Sequence, residues 1–107
     1  MKLIYAIVSS DDSYKVSEML MKDGFFATKL ASTGGFLRAG NTTFLICTED
    51  ENVDRAIAII SEHSKKRKQM VSTTAYSGMQ GYTPFPVEVT VGGATIIVTD
   101  VERFEKI

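Results

Sequence analysis

The 107-residue chain has no tryptophan, two prolines, one cysteine and one histidine, and each scarcity removes a class of function. With Cys47 alone, no internal disulfide can form, and the expected setting is the cytoplasm with a small packed thiol. His63 and Cys47 together cannot complete a tetrahedral zinc set. His63 sits among Ser61, Glu62, Ser64 and Lys65 at the far end of a helical stretch and reads as a solvated helix residue, while Cys47 alternates with Ile46 on a strand. The acidic residues scatter without a convincing pair. No nucleophile–base couple, carboxylate dyad or metal cluster emerges, so the chain reads as a non-enzyme. Long apolar runs are also missing: residues 3–8 are apolar, but Ser9-Ser10-Asp11-Asp12 ends them, too soon for a signal peptide or a membrane span. Neither charge sign dominates. Twelve basic against thirteen acidic residues give a net charge of -1, which favours neither nucleic-acid polymers nor membrane insertion.

What is present fits one domain over residues 1–107, since 44% hydrophobic and 23% charged residues suffice for a modest core without staples. The branched run at 3–8 predicts a central strand buried on both faces. Asp11, Asp12 and Ser13 supply N-cap chemistry for a helix to about residue 22, with Val16, Met19 and Leu20 inward and Gly24 ending it. A strand is predicted over 25–32, placing Phe26, Thr28 and Leu30 on one side and Ala27, Lys29 and Ala31 on the other. A glycine-rich connection covers 33–41, and a further strand 42–48.

Thr48 with Glu51 fits a capping box for a second helix to about residue 65. Its Val53, Ala56, Ile57 and Ile60 form the clearest helical stripe in the chain, and Lys65-Lys66-Arg67-Lys68 would close it by complementing the helix dipole. A short strand at 69–72 leads to a polar loop at 73–86, a length that accompanies function or disorder. Residues 87–91 alternate, turn at Gly92-Gly93 and return over 94–99, a hairpin signature; 100–104 reads as a terminal helical turn. The sequence therefore predicts an α+β, ferredoxin-like βαββαβ sandwich with an extra C-terminal strand. Both helices lie on one face of an antiparallel sheet, and a symmetric oligomer is the closed way to cover the other.

The segment 34–41 carries the chemistry. It lacks Gly-x-Gly-x-x-Gly, because Gly34 and Gly35 are adjacent and no helix follows, and it lacks the Gly-Lys-Ser/Thr ending of a Walker loop. Gly34 and Gly35 admit close backbone approach to a ligand. Phe36 offers an aromatic face to a base, and Asn41 has the donor and acceptor that match an adenine edge. Thr28 can donate its hydroxyl to a phosphate, and Arg38 adds a nearby charge. On the residues alone, a plain glycine turn between strands and a nucleotide pocket both stand.

The unbroken string Ala27-Thr28-Lys29-Leu30-Ala31-Ser32-Thr33-Gly34-Gly35-Phe36-Leu37-Arg38-Ala39-Gly40-Asn41-Thr42-Thr43-Phe44 resembles the hallmark of the PII-like cyclic di-AMP receptors. The tail Pro86-Val87-Glu88-Val89-Thr90-Val91-Gly92-Gly93-Ala94-Thr95 and the opening residues 1–8 extend the resemblance over essentially the whole chain. It implies a homotrimer binding one cyclic di-AMP in each cleft between neighbours. The ligand would act by reshaping flexible loops at about 33–41 and 73–86 that touch an unknown downstream protein.

By the same resemblance Thr28 bonds a phosphate with the Ala27 backbone beside it. Gly35, Phe36 and Leu37 wall the adenine pocket, and Asn41 reads the adenine edge. Cys47 and the Gly92-Gly93 turn lie near the second base. No catalytic residue, metal or further cofactor is implied. Two departures stand out: family members carry a phosphate-contacting arginine where this chain has Phe26, and glycine where it has Cys47. Lys29, on the opposite strand face from Thr28, is a poor substitute. A lost charge-assisted bond is worth roughly 1.5–3 kcal/mol. The departures leave open a sensor for another adenine nucleotide such as ATP, or an adaptor trimer with a degenerate site.

Overall fold

A computed structural model describes residues 1–30, 40–72 and 86–107. The elements run β1 (Lys2–Ser9), α1 (Ser10–Lys22), β2 (Ala27–Lys29), β3 (Asn41–Thr48), a 3-10 turn (Asp50–Asn52), α2 (Val53–Glu62), β4 (Arg67–Ser72), β5 (Pro86–Val91) and β6 (Ala94–Asp100). Four strands form an antiparallel sheet in the order β2-β3-β1-β6, and β4 pairs only with β5 in a separate two-stranded ribbon. The four-stranded order is that of the ferredoxin-like pattern, as expected. The additional strand material is inserted between α2 and the last core strand and is not appended at the C-terminal end.

Side-chain alternation decides what each sheet face does. Ile4, Ala6 and Val8 of β1 and Phe44 and Ile46 of β3 point to the helices and are buried with Val16 and Leu20 of α1 and Ala56 and Ile60 of α2. The odd-numbered β1 residues Leu3, Tyr5 and Ile7 face the other way and are only half-buried. The expectation that β1 is buried on both faces is thus corrected for the single chain, because both helices lie on one side. On α2, Val53 packs against the core as predicted, Ile59 joins it, and Ile57 lies instead at the crevice beside Ile96 of β6.

The helix ends follow simple chemistry, with some differences from the sequence reading. Helix α1 begins one residue before Asp11, with no side-chain cap at Ser9; Asp11 and Asp12 occupy the first turn, where negative charge complements the dipole. The Ser13 hydroxyl donates to the Ser10 carbonyl at 2.8 Å. Gly24, at φ 87, ends the helix as expected. Its N–H donates to Met21 at 3.0 Å and that of Phe25 to Leu20 at 2.9 Å. That pair of bonds is a Schellman closure, and Leu20 and Phe25, both buried, supply its apolar contact.

The predicted Thr48/Glu51 capping box is absent: Glu49 precedes the 3-10 turn, the Asn52 N–H donates to the Glu49 carbonyl at 3.0 Å, and no side chain caps α2. The basic run does not close α2 either. The helix ends at Glu62, the buried Ser64 donates its hydroxyl to the Ile60 carbonyl, and Arg67 and Lys68 belong to β4. Residues 101–107 form no helical turn; they leave β6 as an irregular segment whose Val101 N–H donates to the Met1 carbonyl at 3.2 Å.

Gly92-Gly93 is the main topological correction. It does not fold β6 back onto β5 but crosses from the ribbon to the core sheet, where β6 pairs with β1. Both glycines have left-handed φ, 84° and 86°, and the Gly93 N–H donates to the Ser64 carbonyl just past α2. The other root of the ribbon is held by Arg67, whose guanidinium grips Asp12 at 2.9 and 3.3 Å. Hydrogen bonding to Asp12 is the main cause that raises the Arg67 pKa further above its ordinary value. Asp12 is buried and Arg67 half-exposed, so the pair falls between a surface and a buried ion pair. Asp12→Ala is expected to lower unfolding stability by about 1–2 kcal/mol. An unchanged urea midpoint would show that this pair does not secure the ribbon.

Candidate functional site

The described candidate residues fall into two groups at opposite ends of β3. At one end, strand pairing sets Thr28 opposite Leu45 and Cys47 opposite Leu3. All four line a cavity of about 510 Å³ on the sheet face away from the helices, together with Phe26, Val101, Phe104 and Lys106. Thr28 is exposed, so its hydroxyl is available to a ligand. Ala27 turns its side chain to the core, which leaves only its backbone to face a ligand. The alternation predicted for Phe26, Ala27 and Thr28 therefore holds, although the regular strand is three residues long. The Leu30 N–H adds one further bond, to Thr43 at 2.9 Å.

At the other end Asn41 stands opposite Ser9. A cavity of about 240 Å³ collects Asn41, Ser9, Lys66, Gly92, Gly93 and Thr95 with neighbouring residues of β1 and β6. The glycine pair shapes this end through backbone geometry. A Cβ at Gly93 would lie 3.1 Å from the Lys66 side chain, so the absence of side chains lets the Lys66 stem pass. Asn41 and Cys47 are six positions apart on one strand, roughly 20 Å at about 3.4 Å per residue. Cys47 and Gly92-Gly93, expected near one base, consequently do not meet within a single subunit. Gly35, Phe36, Leu37 and Arg38 lie outside the described residues.

The electrostatics of the two groups match. Each cavity has one cation, Lys66 or Lys106, and no carboxylate lines either. Hydroxyl or amide groups line the same cavities: Thr28 in one, Ser9, Asn41 and Thr95 in the other. Such surroundings suit an anionic ligand that also offers hydrogen-bonding groups. Among the described residues no three His, Cys, Asp or Glu side chains could hold a metal ion, and no helix is long and apolar enough to cross a membrane.

The sequence reading did not place Lys66, Phe104 and Lys106 at these cavities. Lys66 looked like one member of a dipole-complementing run, and the C-terminal pair followed no motif. Their positions depend on where α2 ends and on the path of the chain after β6, which are tertiary facts.

Comparison with known proteins gives two results. The family model described as cyclic-di-AMP receptor matches residues 1–107. A crystal structure of a functionally unknown protein from Pediococcus pentosaceus is similar at 40% sequence identity, covering 99% of this chain and 96% of that one, with a TM-score of 0.75.

Proposed function

The chain belongs to the cyclic-di-AMP receptor family, and from that premise we propose a non-enzymatic signalling receptor that takes cyclic di-AMP in clefts between the subunits of a homotrimer. The observation that carries this reading is the division of the candidate residues into two carboxylate-free, singly cationic groups about 20 Å apart on one strand. One group suits one base and phosphate. Docking a second copy on the uncovered sheet face lets a group of one subunit face a different group of its neighbour.

In that cleft the Thr28 hydroxyl donates to a phosphodiester oxygen and the Asn41 amide pairs with an adenine edge. Gly92 and Gly93 keep the wall free of side chains, and Lys66 offsets the anionic charge. The signal passes through the loops at about 33–41 and 73–86, the first joining β2 to β3 and the second joining β4 to β5 at the end of the ribbon away from Gly92-Gly93. Their rearrangement presents a changed surface to a downstream protein in the cytoplasm.

A second reading, a sensor of another adenine nucleotide such as ATP, is favoured by one specific feature. Phe26 and Cys47 share the cavity with Thr28, so a ligand there meets an aromatic ring and a thiol at the two positions where the family resemblance implies arginine and glycine. Calorimetry with cyclic di-AMP, cyclic di-GMP and ATP separates the two. Cyclic di-AMP at 100 times its dissociation constant is expected to stabilise the protein by roughly 2.7 kcal/mol per site, a rise of order ten degrees in the thermal midpoint. Thr28→Ala should weaken binding about tenfold, the worth of one bond to a charged group. Absence of cyclic di-AMP binding at any concentration rejects the receptor reading; preference for ATP establishes the second.

A further inference from the structure

The C-terminal segment crosses the uncovered sheet face at the end where β1 begins, bringing Val101, Phe104 and Lys106 onto the cavity that Leu3, Thr28, Leu45 and Cys47 floor. Phe26 reaches the same cavity from the chain just before β2 and is 89% exposed; Phe104 is 56% exposed. Two large aromatic side chains left this open, on separate elements and around one cavity, are anomalous for mere core formation. In the single chain each leaves apolar surface that a flat ring could cover. The cavity volume, about 510 Å³, lies within the range of small-molecule sites. Lys106 is the sole charged residue of the lining, and the Thr28 hydroxyl is the one side-chain oxygen there.

We propose that Phe26 and Phe104 clamp one purine ring of the bound nucleotide, and that Lys106 neutralises the phosphate next to it. The inference rests on the receptor reading above and assigns to the C-terminal segment a direct part in ligand recognition. A purine presents two apolar faces and a polar edge, which fits a slot with aromatic walls and a hydroxyl at one side. Lysine, a mobile point charge on a long stem, can follow a phosphate without fixed geometry. The clamp also makes the site selective for ligands that join a planar base to an anion.

The test is calorimetric titration of cyclic di-AMP into the intact oligomer of the wild type and of Phe26→Ala, Phe104→Ala, Lys106→Gln and Lys106→Arg, with light scattering on each. Phe26→Ala and Phe104→Ala should each weaken binding ~10-fold or more, as loss of a stacked base contact does. Lys106→Gln should weaken it roughly three- to fivefold and flatten the salt dependence, with Lys106→Arg restoring both. Oligomeric mass should stay constant throughout. Wild-type affinity in all the variants overturns the clamp while leaving the receptor reading intact. Dissociation of the phenylalanine variants into monomers assigns those rings to subunit packing and likewise overturns it. A wild type that binds no cyclic di-AMP removes the receptor reading and the clamp together.

Discussion

Gly92→Ala is expected to lower the thermal midpoint by more than about ten degrees, whereas Gly24→Ala, at nearly the same φ, should lower it by only about five. Both glycines are left-handed, at 84° and 87°, so each alanine incurs a similar backbone strain of about 1–2 kcal/mol. Their surroundings differ. A Cβ at Gly24 meets nothing within 4 Å, while one at Gly92 would overlap the Lys65 carbonyl oxygen and lie 2.9 Å from the Arg67 guanidinium. The carbonyl is backbone next to Ser64, whose own carbonyl accepts the Gly93 N–H, so it cannot retreat cheaply. Overpacking of this kind adds about 1–3 kcal/mol, and displacement of Arg67 would also loosen its grip on Asp12. Differential scanning calorimetry of the two variants decides the matter. Equal midpoints would mean that strain alone governs Gly92 and that the close approach to Lys65 has no energetic weight.

A negative charge on the β6 edge of the uncovered sheet face should separate the proposed trimer into folded monomers. Ile97 of β6 stands opposite Tyr5 of β1 and is 49% exposed in the single chain, so Ile97→Glu leaves a monomer in which the carboxylate reaches water. In an oligomer that buries this face the same carboxylate loses its hydration without gaining a partner, at about 3–5 kcal/mol per subunit. That corresponds to a weakening of the association by at least ~100-fold. Light scattering should give a single-chain mass for the variant with an unchanged far-UV circular dichroism spectrum. A variant that keeps the wild-type oligomeric mass would show that subunits meet through some other surface.

Much of the fold was legible because local pattern and tertiary role coincide. The stripe of Val53, Ala56 and Ile60 is helical in spacing and packs inward, and the Thr28/Ala27 alternation sorts cavity-facing from core-facing positions. Gly92-Gly93 shows where local reading stops. Two adjacent glycines between alternating runs suit a hairpin and a crossover equally well, and the choice is made by distant partners. Arg67 to Ser72 offer β5 an edge, and β1 offers β6 another.

The same limit applies to Lys65 and Lys66: a cationic run after an apolar stripe looks like a helix end, but Ser64 and the crossing glycines terminate α2 earlier. For the candidate site, Thr28, Cys47 and Asn41 were visible as residue types on strands. Their separation into two ends of β3 needed the register, and the contribution of Phe104 and Lys106 needed the path of a segment without periodicity.

The ribbon of β4 and β5 is fastened to the domain at its root, by Arg67 to Asp12 on one strand and by Gly93 to Ser64 beyond the other. Its described side chains farther out are mostly exposed. Six residues at about 3.4 Å each make it an arm roughly 20 Å long. Swung by a few degrees about that attachment, its far end travels roughly 1–2 Å. Because the ribbon's root includes Gly92 and Gly93, a molecule lodged beside Asn41 and Lys66 would press on the short side of a lever whose long side carries mostly exposed side chains.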